Sequence, residues 1–209
     1  MLRFVMAGVI FMVAAGAQAQ GGDPKLWYVA GGVGAAWNTD QKITGGGSGK
    51  LSTDPGYTAN VSIGRYLDDI RVLRLEVEGL YDQSDVNNFG GTKATGRISN
   101  AGLMLNFLYD IQTGTGWVPY LGGGIGYSRV NMDDVGFSGA PPSIDGTDNV
   151  FAYQFKAGIA YQFNPSMAVT LGYRYYATDN LSFGGQPGGT VKTEGTRIQN
   201  AELGFRFNF

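Results

Sequence analysis

The chain of 209 residues has no cysteine and no histidine, and charged residues make up only 15% of it. Without cysteine there can be no disulfide bond. Without histidine, Ser-His catalytic pairs and histidine-rich metal sites are both excluded. The formal net charge of −2 at pH 7 excludes the clustered positive charge that nucleic-acid binding requires. These absences point away from a disulfide-rich domain, a nucleic-acid binder and most hydrolases.

Long apolar runs are also missing, with one exception at the start of the chain. Phe4–Ala15 is almost unbroken, Arg3 is the only charge before Asp23, and Ala17-Gln18-Ala19 has the small-x-small pattern of a cleavage site. The run is too short for a membrane helix, which needs about 20 apolar residues. We therefore predict a secretory signal peptide over residues 1–19 and a single mature domain over residues 20–209. The alternative is a short membrane anchor.

The end of the chain, Thr196–Phe209, alternates strictly between apolar and polar residues. One face carries Ala201, Leu203, Phe205, Phe207 and Phe209, and the other carries Asn200, Glu202, Gly204, Arg206 and Asn208. A side-chain period of two is typical of a β-strand. An apolar face that reaches a normally frayed terminus favours a strand that faces lipid and closes a transmembrane barrel.

Seven further segments alternate in the same way. With the terminal strand they are Trp27–Trp37, Tyr57–Tyr66, Arg71–Tyr81, Arg97–Ile111, a glycine-rich strand from Trp117, Val150–Phe163, Met167–Ala177 and Thr196–Phe209. Long connections at 38–55, 82–96, 133–149 and 178–195 alternate with short ones at 67–70, 112–116 and 164–166. This rhythm predicts an all-β fold, a closed antiparallel eight-stranded transmembrane barrel with short periplasmic turns and four long extracellular loops.

Aromatic residues cluster near the strand ends, as expected for rings at the two membrane interfaces. The periplasmic girdle is predicted to contain Trp27, Tyr66, Tyr109, Trp117, Tyr161, Phe163 and Phe207, and the outer girdle Trp37, Tyr57, Tyr81, Phe151 and Tyr175. The alternative is a soluble lipocalin-like barrel with the faces reversed, in which the charged set would point outward.

Three stretches resemble the small eight-stranded outer-membrane barrels of the OmpA-like, opacity-protein and bacterial surface-antigen type. They are the Pro-Tyr-x-Gly-x-Gly-x-Gly-like strand 118–127, the Gly-Tyr-Arg-Tyr strand 172–175 and the phenylalanine-rich end 205–209. The resemblance implies an outer-membrane location in a Gram-negative cell. It also implies that Phe205, Phe207 and Phe209 form the signal read by the barrel assembly machinery. Because the chain stops at the last strand, the periplasmic peptidoglycan-binding domain of full OmpA proteins is expected to be absent.

The inward faces carry balanced charge. The predicted interior network contains Arg74, Lys156, Arg174 and Arg206 with Glu76, Glu78, Asp110 and Glu202. Unpaired buried charge is costly, so we expect pairing, with Arg174–Glu202 and Arg74–Asp110 as cross-strand pairs. An eight-stranded barrel is just wide enough for side chains to fill. The network is interpreted as a plug; the alternative is a gate whose exchanging ion pairs pass small ions.

Catalysis would have to rely on Glu76 and Glu78, and Arg74 beside them is the more natural partner. No catalytic, cofactor or metal site is therefore predicted. Arg129 is expected just above the outer girdle, where it would meet lipid headgroups such as those of lipopolysaccharide. The predicted role is structural and surface-interactive, through a host or extracellular ligand at the loops. The resemblance leaves adhesion, envelope integrity and a narrow porin-like channel open.

Overall fold

A computed structural model of the protein describes residues 25–39, 41–44, 49–67, 71–89, 91–137, 144–185, 189–193 and 195–209. The predicted signal peptide, residues 1–19, lies outside the described residues. Among the described residues there is no helix that is long and apolar enough to cross a membrane.

Most of the described residues form β-strands. The strands are β1 (Trp27–Asn38), β2 (Gln41–Thr44), β3 (Gly49–Thr53), β4 (Gly56–Tyr66), β5 (Leu73–Phe89), β6 (Thr92–Asp110), β7 (Trp117–Phe137), β8 (Ile144–Asn164), β9 (Met167–Thr178), β10 (Leu181–Gly185), β11 (Gly189–Thr193) and β12 (Arg197–Asn208).

Eight of these strands close into an antiparallel barrel. Around the ring the order is β1, β4, β5, β6, β7, β8, β9 and β12, and β1 pairs with both β4 and β12. The wall therefore has no free edge within the membrane-spanning part, which is what lipid requires of a spanning sheet. The eight-stranded closed barrel predicted from the sequence is confirmed. The predicted glycine-containing turn between β6 and β7 is also present, with Gly114 at a φ of 73°.

The faces are oriented as the lipid-facing interpretation requires. Phe155 is 61% exposed and Leu171 is 60% exposed on the outside of the wall, whereas Arg174 is 0% exposed in the interior. The reversed, lipocalin-like arrangement is therefore wrong for this chain. One girdle residue was assigned to the wrong face: Tyr66 is 1% exposed and lies in the interior. Its even position in β4 places it on the same side as the inward-facing Thr58 and Ser62.

The long connections are far more regular than the sequence predicts. Strands β1, β4, β9 and β12 have 11 or 12 residues, but β5 to β8 have 17 to 21 and continue through the predicted loops 82–96 and 133–149. The predicted loops 38–55 and 178–195 contain the β2–β3 and β10–β11 hairpins.

These hairpins complete a second ring above the first. Strand β3 pairs with β5, β2 with β11, and β10 with β8. Together with the upper parts of β5 to β8 they form a closed extension of the barrel on the side of the long connections, called the outer extension below. The strands can continue above the membrane because their backbone amides and carbonyls form hydrogen bonds with a neighbouring strand.

Candidate functional site

The interior of the barrel is where the wall strands bring charged side chains together. Inward positions recur at every second residue, so β5 alone supplies Arg74, Glu76 and Glu78 to one inner face. All eight residues of the predicted network lie inside, and the most exposed side chain among them, that of Lys156, is only 12% exposed. The sequence therefore located this cluster correctly.

The lower layer of the interior, at the short-turn end, is centred on Asp110. The Arg74 guanidinium donates to Asp110 Oδ1 from Nη2 at 2.7 Å and from Nε at 3.0 Å, which forms the first predicted cross-strand pair. Arg206 Nη1 lies 3.5 Å from Asp110 Oδ2, and the Tyr66 hydroxyl donates to the same oxygen at 3.4 Å. One buried carboxylate is thus shared by two arginines and a tyrosine.

Tyrosine rings fill the space around these two arginines. Arg74 lies over the rings of Tyr28 and Tyr120, at 5.4 and 5.5 Å from their centroids. Arg206 lies over Tyr28 and Tyr66, at 5.8 and 6.0 Å. Cations over aromatic faces are stabilised by the ring quadrupole, most strongly where water is excluded. The rings therefore close the lower end of the bore and hold the guanidinium groups in place.

The middle layer is organised around Glu78, which is fully buried. Its carboxylate accepts hydrogen bonds from Arg174 Nη2 at 2.7 Å and from Lys156 Nζ at 3.0 Å. The side-chain amides of Asn106 and Gln154 each donate to its other oxygen at 2.7 Å. Four donors from three other strands converge on this one carboxylate, so Glu78 ties opposite parts of the wall together.

Two further carboxylates complete the middle layer. Glu202 Oε2 accepts from Arg174 at 3.0 Å, which forms the second predicted cross-strand pair, and from Asn60 at 3.2 Å. Glu76 accepts from Lys156 at 3.3 Å and from the Tyr28 hydroxyl at 2.9 Å. Because Arg74 donates to the same Tyr28 hydroxyl at 3.2 Å, the lower and middle layers form one continuous network.

Sequence reasoning missed one charged residue of the interior. Asp82, which was assigned to the start of a loop, is 3% exposed and accepts hydrogen bonds from Asn100 at 3.1 Å and from Asn200 at 3.2 Å. Its even position in β5, in line with Glu76 and Glu78, is the signal that could have found it. With Asp82 the described interior holds five carboxylates against four cations.

Apolar side chains fill another part of the bore, beginning at the level of Glu78, whose register partner is Met104. Ala36, Leu80, Met104, Ala152, Tyr176 and Ile198 form a buried cluster toward the outer extension. Val86, Ile98, Val130 and Met132 are also buried in or next to that extension. The interior is therefore mixed rather than wholly polar, because the buried Asp82, Asn100 and Asn200 lie next to this apolar cluster.

Little free space remains beside the network. A cavity of about 50 Å³ lies against the wall where β1, β9 and β12 present Gly32, Gly172 and Gly204 to the interior. Arg74, Lys156 and Arg206 also line it. A cavity of that size holds a few water molecules, since one water needs about 10–15 Å³ measured in this way. The arrangement can therefore hydrate the network.

The remaining candidate residues lie on the outside of the wall. Phe205 and Phe209 are exposed to the lipid side, and the rings of Phe207 and Phe209 stack at 6.3 Å. Arg129 is exposed on β7 between Ala101 and Asn149. Arg129 forms no ion pair with the described part of the chain.

Known proteins share this sequence pattern and this architecture. The family model for the outer membrane protein beta-barrel domain matches residues 5–209. An outer membrane protein of Gluconacetobacter diazotrophicus is 37% identical over 116 residues, which span 49% of this chain and 31% of that relative. The match therefore covers about a third of the relative's length.

Two solved structures share the fold. Neisserial surface protein A is 19% identical with a TM-score of 0.57, over 88% of this chain and 97% of that one. OprG from Pseudomonas aeruginosa is 16% identical with a TM-score of 0.60, over 88% and 96%. The closed eight-stranded wall, its lipid-facing apolar side and the family match lead to one conclusion: the chain belongs to the outer membrane β-barrel protein family of Gram-negative bacteria.

Proposed function

We propose that this protein is a sealed barrel with a structural and surface-interaction role, as an adhesin or a contributor to envelope integrity. The observation that carries the proposal is the filled interior. Glu78 and Asp110 hold the charged layers together, and the apolar cluster around Met104 fills the neighbouring part of the bore. A barrel closed in this way is suited to holding its wall rigid and presenting a surface rather than to passing solutes.

The outer extension supplies that surface. Its strands β5 to β8 are anchored in the membrane wall and stand well beyond the length that the apolar band requires, which is about ten residues per strand. The surface of the outer extension carries exposed polar side chains such as Asp85, Asn87 and Arg97. Recognition residues are commonly carried by loops that a rigid scaffold positions. We therefore expect a host or other extracellular ligand to contact this extension.

We further propose that the protein is not an enzyme. The two carboxylates that sequence reasoning considered for catalysis, Glu76 and Glu78, are both buried and both accept hydrogen bonds from Lys156. A general base must be free to take a proton from a substrate within hydrogen-bond reach. These carboxylates instead act as structural acceptors that neutralise buried cations.

The test trims the outer extension while leaving the wall intact. Met132 and Gly146 are register partners in β7 and β8, so residues 133–145 can be replaced by an Asn-Gly turn without shifting either strand. A deletion strain would carry either the full-length or the trimmed protein. We expect both proteins to show heat-modifiable gel mobility and to restore resistance to detergents. Only the full-length protein should support adhesion to matrix-coated plates. Equal adhesion by both strains would contradict a surface role for this hairpin.

A narrow channel is the second candidate, and one observation favours it. Arg174 and Arg206 each have two buried N–H groups with no hydrogen-bond partner within the described protein, and Arg206 lines the 50 Å³ cavity. Water or an ion at that position would satisfy such groups. Planar-bilayer recordings separate the two functions, because a channel should give steady openings that survive the trimming, whereas the sealed barrel should give none.

The remaining proposed partners concern assembly. The Phe209 backbone amide donates to the Trp27 carbonyl at 2.8 Å, so the last residue closes the seam between β12 and β1. We propose that Phe205, Phe207 and Phe209 are read by the barrel assembly machinery before this seam forms.

A further inference from the structure

The lipid-facing wall carries a groove in the middle of β7. It has a volume of about 560 Å³ and an almost wholly apolar lining that includes Leu105, Phe107, Ile125, Tyr153 and Phe155. The groove exists because Gly123 stands on the outward face between Phe107 and Phe155, its register partners on β6 and β8. Where every other outward position of this strand region carries a side chain, Gly123 leaves a notch between two large rings.

The groove lies near the middle of the membrane. Gly123 is six residues from the interfacial Trp117 below and six from Arg129 above, on the same face of the same strand. Six residues of strand span about 20 Å, which at a tilt of about 40° is roughly 15 Å of depth, slightly more than half of the apolar band of about 25 Å. Arg129 therefore stands at the level of the outer headgroups when Gly123 stands at the midplane.

Arg129 is available to an external anion. It forms no ion pair with the described residues, and its register neighbours Ala101 and Asn149 carry no charge. Between it and the groove lie Tyr127 and Phe151, whose rings meet edge to face at 6.2 Å. A cation at headgroup depth, aromatic rings below it and an apolar groove at the midplane thus follow one another along a single stripe of the wall.

We propose that this stripe is a binding site for one molecule of lipopolysaccharide in the outer leaflet. A lipid A phosphate would pair with Arg129, and one acyl chain would run down past Tyr127 and end in the groove at Gly123. Arginine is well suited to phosphate because its planar guanidinium donates two parallel hydrogen bonds. The length of the stripe matches one leaflet, which is why an outer-leaflet lipid fits it and one from the inner leaflet does not reach Arg129. The site does not depend on the role proposed for the outer extension.

Native mass spectrometry of the full-length barrel in detergent, titrated with lipid A or with phosphatidylglycerol, tests the proposal. Wild-type protein should retain one lipid A in preference to phosphatidylglycerol. Arg129→Ala should weaken lipid A binding about tenfold, as expected for the loss of a charge-assisted hydrogen bond. Arg197→Ala, which removes another exposed arginine from the outer half of the wall, should leave binding within about twofold of wild type.

A second pair of variants tests the groove. Gly123→Leu fills the notch and should weaken lipid A binding about as strongly, about tenfold. Gly79→Leu is the matched control, because a side chain there would meet only Val61 at 4.0 Å. Heat-modifiable mobility verifies folding. If Gly123→Leu does not fold, because its Cβ would come within 3.2 Å of the Gln154 carbonyl, Phe155→Ala removes one groove wall instead and should also weaken binding.

Each outcome decides the proposal. A loss of lipid A binding in both Arg129→Ala and the groove variant, with both controls unaffected, supports it. If lipid A binding is lost in only one of these two variants, the proposal that one lipid contacts both Arg129 and the groove is wrong. If wild-type protein binds phosphatidylglycerol as well as lipid A, the choice of lipopolysaccharide is wrong. The same holds if phosphatidylglycerol binding weakens in the groove variant but not in Arg129→Ala.

Discussion

Replacing Glu78 by glutamine removes the carboxylate on which the middle layer converges. The amide has nearly the same shape, but the buried Arg174 and Lys156 lose a charged partner at 2.7 and 3.0 Å. Removing one member of a buried ion pair costs about 3–5 kcal/mol. Arg174 keeps Glu202 at 2.8 Å, and Lys156 keeps Glu76 at 3.3 Å. We therefore expect the lower end, a loss of about 3 kcal/mol in the free energy of unfolding.

The measurement is urea unfolding of the barrel in lipid vesicles, followed by tryptophan fluorescence and by gel mobility. A loss of about 3 kcal/mol corresponds to roughly a hundredfold change in the unfolding equilibrium constant. The control is Asp85→Asn, which breaks an exposed pair with Arg97 at 3.5 Å. Exposed pairs contribute about 0–1 kcal/mol.

A small effect would refute the reasoning. If Glu78→Gln unfolds within about 0.5 kcal/mol of wild type, as the exposed control is expected to do, then water screens the interior charges. The network would then not be a stabilising plug, and the channel interpretation would gain support.

Three further predictions concern the wall and its outer part. Gly158→Val should destabilise the barrel by about 1–3 kcal/mol in the same urea assay, because its Cβ would lie 2.6 Å from the Tyr120 hydroxyl; the outward Gly79→Val should change little. Phe209→Ala should lower the fraction of heat-modifiable protein in cells several-fold without lowering the urea midpoint of the purified barrel, and an unchanged yield would contradict a role in assembly. Trypsin added to intact cells should spare the bond after Arg97, which is paired with strands on both sides, whereas the boiled protein should be cut there; rapid cleavage in cells would show that the outer extension is not folded.

Alternation with period two was sufficient to predict the wall. It identified the eight strands, the outward face that contains Leu171, and both the Arg74–Asp110 and Arg174–Glu202 pairs. It succeeded because lipid on one side and a narrow bore on the other impose opposite chemistry on successive residues. The same periodicity would have placed Tyr66 inside, but its position at a strand end suggested the girdle instead.

The outer extension was not predictable in this way, for a physical reason. Above the membrane both faces of a strand can be polar, so Asp85 and Arg97 carry no sign that their backbones are paired. Asp82 was missed for the same reason, since it lies where the lipid-facing pattern fades. The apolar filling around Met104 was missed because single inward apolar residues are separated far along the chain and meet only when the ring closes.

The two halves of the wall reach the outer extension differently. On one half, β5 to β8 pass into it without interruption. On the other half the strands are broken near the membrane surface, where β1 ends at Asn38, β4 begins at Gly56, β9 ends at Thr178 and β12 begins at Arg197. Unbroken hydrogen-bonded ladders resist bending, and breaks do not. The continuous half should therefore hold the outer extension upright, and the aligned breaks are where it bends most easily.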